Sequence, residues 1–180
     1  MSEEIEQVIS AKLTAKGALV EDESIVALLE SKGYGKKEDS SLLLADYEML
    51  YLAYIAKLEI KEDAKKLDFH YLVERSLKND ANAWTRFLLY RDLRSRGYVP
   101  KEGFGFGVDF RVYDRGEHGT KSAKFVIFGL NEGTEVPITA LSKSIAQITR
   151  MGKTPIIAVV ERRGEIIYYK VAKERFQGPT

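Results

Sequence analysis

Three glycines in five residues, at 103, 105 and 107, followed at once by strict alternation of apolar and polar side chains, constrain the middle of this chain more than any other feature. The segment 90–116, YRDLRSRGYVPKEGFGFGVDFRVYDRG, reads as the end of a helix, a glycine stop, a glycine-rich turn and a strand. Trp84, Phe87, Leu88 and Leu93 give that helix an apolar stripe, with Asn79 or Asp80 available as its cap and Gly97 just past its basic last turn. In the strand, Val108, Phe110 and Val112 predict a buried face, and Asp109, Arg111 and Tyr113 a wet one. Tyr113 is thereby delivered to a polar face at the end of a strand.

On either side of this segment the chain alternates short strands and helices. Strands are expected at 8–13 and 18–20 around Gly17, then a helix capped by Asp22 and ended by Gly33. A strand at 42–44, a helix over 47–57 capped by Asp46, an edge strand at 58–60 and a helix over 68–78 complete the first half. Tyr47, Tyr51 and Tyr54 recur at helical spacing and read as core and domain-interface packing, with base stacking as the alternative. The polar LKNDAN segment marks a boundary near Asn79. Beyond it, AKFVIFGL predicts a central strand covered on both faces. Thr139 is placed to cap a helix carrying Leu141, Ile145 and Ile148, and a hairpin spans 155–171 around the turn ERRG. The expectation is an α/β (α+β) protein: a small N-terminal mixed domain over 1–78, and a C-terminal domain over 79–180 with a central mixed sheet flanked by helices.

Composition narrows the chemistry. The 180 residues contain no cysteine, which removes disulfides, thiolate metal sites and cysteine nucleophiles, and leaves only His70 and His118 as imidazoles. His70 has no second metal ligand at a useful spacing, so no metal and no cofactor are expected. The 28 basic and 27 acidic residues nearly cancel, so any affinity for nucleic acid has to come from local clusters such as Arg91, Arg94 and Arg96, or Arg150, Lys153, Arg162 and Arg163. No apolar run approaches the roughly 20 residues of a membrane span, and the acidic start MSEEIEQ is unlike a signal peptide. A cytoplasmic protein with no membrane partner is expected.

The strings YRDLRSRGY and G-x-DFRVY-x-RG, the Gly33-Tyr34-Gly35 turn before LLLADYEMLYL, and the final IIAVVERRGEIIYY hairpin together resemble the archaeal tRNA-splicing endonuclease family, short-subunit type. The resemblance implies a nuclease-like C-terminal domain and metal-independent cleavage of precursor tRNA at bulge-helix-bulge intron junctions, leaving 2′,3′-cyclic phosphate and 5′-hydroxyl ends. It implies a catalytic tyrosine, histidine and lysine, carried here by Tyr113, His118 and Lys153, with Arg115 and Arg150 as RNA-binding candidates. Tyr113 would take or orient the 2′-hydroxyl proton, His118 would protonate the leaving 5′-oxygen, and Lys153 would stabilise the charge on phosphorus. It also implies assembly as a homotetramer, or as a heterotetramer with a second endonuclease subunit.

The chain departs from the family pattern at three places. Three residues before Phe125, where the family histidine is expected, stands Ser122, and His118 lies four residues earlier. Either a longer turn through Gly119 carries His118 to the site, or the histidine is lost. Ala146 occupies the place of a family arginine seven residues before Lys153, with Arg150 one turn further along. The usually acidic hairpin turn contains Arg162 and Arg163, leaving Glu161 and Glu165 for any docking role. These departures leave a non-catalytic structural subunit as the alternative function.

Overall fold

The computed structural model describes residues 5–176 and 178, so the acidic start at 1–4 lies outside the described residues. By its internal packing the chain divides into two compact units, Met1–Gly97 and Tyr98–Thr180.

The first unit runs β1 (Ile9–Thr14), β2 (Gly17–Val20), α1 (Glu23–Ser31), β3 (Lys36–Glu38), β4 (Ser41–Leu44), α2 (Asp46–Tyr54), β5 (Leu58–Glu62), β6 (Lys65–Lys66), α3 (Phe69–Asn79) and α4 (Ala83–Ser95). Its sheet has the order β3-β4-β2-β1-β5-β6, antiparallel except where β1 pairs with β5. Gly17 is required at the β1–β2 turn: its φ is +139°, and a side chain there would begin 2.0 Å from the Leu44 carbonyl oxygen. Asp22 caps α1 as expected, accepting the N–H groups of Ser24 and Ile25. Asp46 does not cap α2, because Ala45 holds the cap position. The work falls to Glu48, 2% exposed, whose two carboxylate oxygens accept the N–H groups of Ala45 at 3.0 Å and Gly35 at 2.8 Å. A carboxylate three residues into a helix thus holds both the helix start and the turn before β3.

Helix α2 is buried from Tyr47 to Leu52 and packs against α3 and α4. Tyr47 and Tyr51 are core residues, their rings 5.0 and 5.6 Å from that of the fully buried Tyr90 on α4. Burial pushes the Tyr90 hydroxyl well above the usual tyrosine range, with Arg94 opposing the shift. Arg94, expected in a surface basic cluster, is instead a structural residue. Its guanidinium lies 3.9 Å from the Tyr34 ring centre and donates to the Tyr90 hydroxyl and to the carbonyls of Lys32 and Gly33 at the end of α1. One planar fork thereby satisfies the two carbonyls just past the end of α1 from the side of α4.

The second unit runs β7 (Val99–Glu102), β8 (Asp109–Tyr113), β9 (Phe125–Asn131), α5 (Ile138–Arg150), β10 (Thr154–Val160) and β11 (Ile166–Lys170). The sheet order is β11-β10-β9-β8-β7, with β9 and β10 parallel and every other pair antiparallel. Parallel neighbours need a crossover, and α5 is that crossover. Its Ile148 packs on Val126 and Phe128 of β9, with Phe106 and Ile157 at the margin. Pro137, not Thr139, holds the N-cap of α5, and Thr139 falls inside the first turn. The mixed α/β class and a central mixed sheet are both present as expected.

Replacing Arg94 by Lys keeps the charge but loses the fork, and is expected to cost about 2 kcal/mol in chemical denaturation. Arg96→Lys on the same helix, at an exposed arginine that pairs with Asp92, is expected to change stability by less than about 0.5 kcal/mol.

Candidate active site

The residues singled out from the sequence lie along one end of the second sheet. Strand β8 is positioned by its own first residue. Asp109, expected on the wet face, is 2% exposed, and its carboxylate accepts the N–H groups of Phe104 at 2.6 Å and Phe106 at 3.1 Å. The glycine-rich turn is wound around that carboxylate. A side chain at Gly103 would begin 1.9 Å from an Asp109 carboxylate oxygen, which explains the glycine there. Val108, Phe110 and Val112 are buried as expected, while Arg111 and Tyr113 are half-buried.

Register then fixes the site. Val112 pairs with Phe125 and Phe125 with Thr154. One step beyond that row stand Tyr113, Lys124 and Lys153, tied together by the bonds from Lys124 N–H to the Val112 carbonyl and from Thr154 N–H to the Lys124 carbonyl. Two strand spacings separate the outer members, about 10 Å between Cα atoms. Lys153, half-buried, donates from Nζ to the carbonyl of Ala123 at 2.8 Å. An ammonium has three donors, so this bond leaves two for other partners.

Between Tyr113 and β9 the chain makes a compact turn. The N–H of Glu117 donates to the Asp114 carbonyl, and those of Thr120 and Lys121 donate to the Glu117 carbonyl. Gly116 and Gly119 sit at φ +75° and +86°, allowing the reversal. The turn brings the half-buried His118 ring edge-on to Tyr113, with centroids 5.2 Å apart and planes at 87°. Ser122, four residues on, is exposed. The carboxylate of Glu117 pairs with Lys121 and raises the lysine above its ordinary value.

Arg115, in the turn, and Arg150, the last residue of α5, are both exposed. Lys124 is a cation that the sequence reading passed over. It stands between the positions of Tyr113 and Lys153, 3.7 Å from Asp114 and 5.1 Å from the centre of the Phe125 ring. Its place just before the first apolar residue of the central strand was the available signal. Lys153 is drawn from the expected basic cluster into a backbone contact, and Arg162 lies 3.9 Å from Glu132. His70 is exposed beside Glu74. Among the described residues no group of three or more His, Asp or Glu side chains is placed to hold a metal ion, and no helix is long and apolar enough to cross a membrane.

Two family models match the chain: "tRNA intron endonuclease, N-terminal domain" over residues 9–73 and "tRNA intron endonuclease, catalytic C-terminal domain" over residues 83–168. Among relatives named tRNA-splicing endonuclease, the protein of Methanococcoides burtonii is 31% identical over 169 residues, covering 93% of this chain and 47% of the relative. The protein of Thermococcus gammatolerans is 31% identical over 155 residues, covering 85% of this chain and 90% of the relative. That of Thermococcus onnurineus is 30% identical over 171 residues, covering 93% and 98%. The chain therefore spans about half the length of some relatives and nearly all of others.

Two substitutions test how the site is held. Lys153→Met removes the donor to the Ala123 carbonyl and is expected to cost about 1–2 kcal/mol, with faster amide hydrogen exchange at 122–124. Gly103→Ala forces the turn away from Asp109 and is expected to cost at least about 2 kcal/mol, whereas Gly105→Ala meets no atom within 4 Å and is expected to cost about 1 kcal/mol, from its φ of +88°. Thermal or chemical unfolding of the three variants checks both.

Proposed function

The chain belongs to the tRNA intron endonuclease family, and from that premise we propose that it is a catalytic subunit that cleaves precursor tRNA at bulge-helix-bulge intron junctions without a metal ion. The observation that carries this reading is the edge-on contact of His118 with Tyr113, on a turn whose end is held by Lys153. A histidine displaced by four positions from its expected place is brought against the tyrosine by the reversal at Gly116 and Gly119.

The chemistry asks little of the protein, because RNA carries its own nucleophile. The 2′-hydroxyl oxygen bonds to the adjacent phosphorus and the bond from phosphorus to the 5′-oxygen breaks, giving a 2′,3′-cyclic phosphate and a 5′-hydroxyl. Tyr113 takes or orients the proton of the attacking hydroxyl, protonated His118 gives a proton to the departing oxygen, and the two remaining N–H donors of Lys153 face the phosphoryl charge. Lys124 adds positive charge in the same row. Arg115 and Arg150, exposed at the two margins, hold the RNA backbone or a bulged base. Assembly as a tetramer, of identical chains or with a second endonuclease subunit, is supported by the apolar outer strand β11, where Ile167 and Tyr169 are exposed.

A second reading has its own observation. Ser122 stands exposed where the family histidine is expected, and the Lys153 ammonium is already engaged with a backbone carbonyl. Those two facts suit a structural subunit that builds the assembly while a partner cuts.

Incubating the purified chain with a bulge-helix-bulge RNA in excess chelator separates the two. Cleavage leaving cyclic phosphate ends is expected, reduced about 100-fold or more by His118→Ala and by Tyr113→Phe. Cleavage that appears only after a second subunit is added, and that is indifferent to His118→Ala, assigns this chain the structural role.

A further inference from the structure

One face of α4 carries Trp84, Phe87 and Arg91, spaced three and four residues apart and therefore in one stripe. The end of α2 adds Tyr54 and the start of α3 adds Phe69. The rings adjoin: Phe87 lies 5.0 Å from Trp84, 5.7 Å from Phe69 and 5.8 Å from Tyr54 between centroids. The cluster reaches the surface, with Tyr54 53% and Trp84 41% exposed. The guanidinium of Arg91 sits over it, 5.5 Å from the Tyr54 ring and 5.7 Å from the Phe87 ring.

The polar groups of this patch are unsatisfied in a way their neighbours are not. On the same helix Arg86 is paired with Asp80, Arg96 with Asp92, and Arg94 with backbone carbonyls. Among the described residues, Arg91 has no carboxylate or hydrogen-bond partner, and neither do the Tyr54 hydroxyl and the Trp84 indole N–H. An apolar protein face laid over the patch would bury a charge and two donors without partners. A nucleic-acid strand supplies both complements, planar bases for the rings and phosphate for the cation.

We propose that this patch is a stacking site for an unpaired, single-stranded segment of RNA, with Tyr54 and Trp84 receiving bases and Arg91 holding a phosphate between them. It lies in the first unit and shares no residue with the cleavage site. The choice of RNA over DNA rests on the function proposed above, whereas the stacking geometry does not.

The chain has a single tryptophan, so the emission of Trp84 reports on the patch directly. The intact protein is titrated with short oligouridylate and oligoadenylate RNA lacking any bulge-helix-bulge, and affinity is followed in parallel by anisotropy of end-labelled RNA. The expected result is saturable quenching of Trp84, with affinity weakened about tenfold in Arg91→Ala and in Tyr54→Ala. Circular dichroism melts establish that the variants are folded, and Arg91→Gln carries the comparison if an alanine variant is not. Because these RNAs offer no intron junction, absence of cleavage activity leaves the proposal standing. It is overturned if no RNA binds, if RNA binds without changing Trp84 emission, or if the variants bind as the parent does. Trp84 emission that follows protein concentration in the absence of RNA, and is abolished by Arg91→Ala, also overturns it and assigns the patch to a second copy of the chain.

Discussion

The arrangement of the second unit depends on the buried carboxylate of Asp109. Its two oxygens accept the N–H groups of Phe104 and Phe106 and hold the glycine-rich turn closed. That closure sets β8 against β7 so that Phe110 lies opposite Glu102 and Tyr113 opposite Val99. On its other side β8 meets β9 with Asp109 opposite Phe128 and Val112 opposite Phe125. A slip of one residue would turn Phe110 and Val112, both fully buried, to the opposite face. The hydrophobic cost of that slip and the hydrogen bonds of the carboxylate therefore enforce the same register, and Tyr113 takes its position from it.

A similar economy governs the first unit. Glu48 and Arg94 carry opposite charges into a largely apolar setting, and each satisfies backbone groups that a helix end or a tight turn would otherwise leave without partners. Around them Tyr34, Tyr47, Tyr51 and Tyr90 pack as a ring cluster. Tyrosine suits this place because its ring buries like an apolar group while its hydroxyl answers a buried donor such as the Arg94 Nε. The same helix α4 presents a different face at Arg91, where the cation has rings beneath it and no anion beside it. Both arginines are half-buried, and their partners separate them: Arg94 is fixed by a hydroxyl and two carbonyls, whereas Arg91 has only rings beneath it.

The site itself is held by backbone more than by side chains. Lys153 reaches the Ala123 carbonyl, and the turn from Asp114 to Lys121 is closed by its own N–H groups. Such a turn tolerates a change of length, because its glycines absorb the reversal at positive φ. That is how His118, four residues before Ser122, comes to pack against Tyr113. Register fixes the strands on either side, while the turn between them sets where His118 lies.

The amino-acid sequence by itself determined most of the elements, the short strands β3, β6 and β7 excepted, and most of their faces. Alternation in DFRVY, the apolar run of FVIFGL and the helical spacing of Ile145 and Ile148 are local patterns, and local patterns are what periodicity reads. It determined the family as well, since strings such as YRDLRSRGY and DFRVY are contiguous. Tertiary structure alone decided which polar residues go inside. Asp109 and Arg94 sit at positions that alternation and helical spacing assign to solvent, and they are drawn in because distant or irregular backbone needs their hydrogen bonds. Helix starts at Ala45 and Pro137, in place of Asp46 and Thr139, have local causes instead, a carboxylate at Glu48 for the first and the fixed φ of proline at the second. The meeting of Tyr113 with His118 was beyond the sequence too, because it depends on how a turn folds in space and not on how many residues it contains.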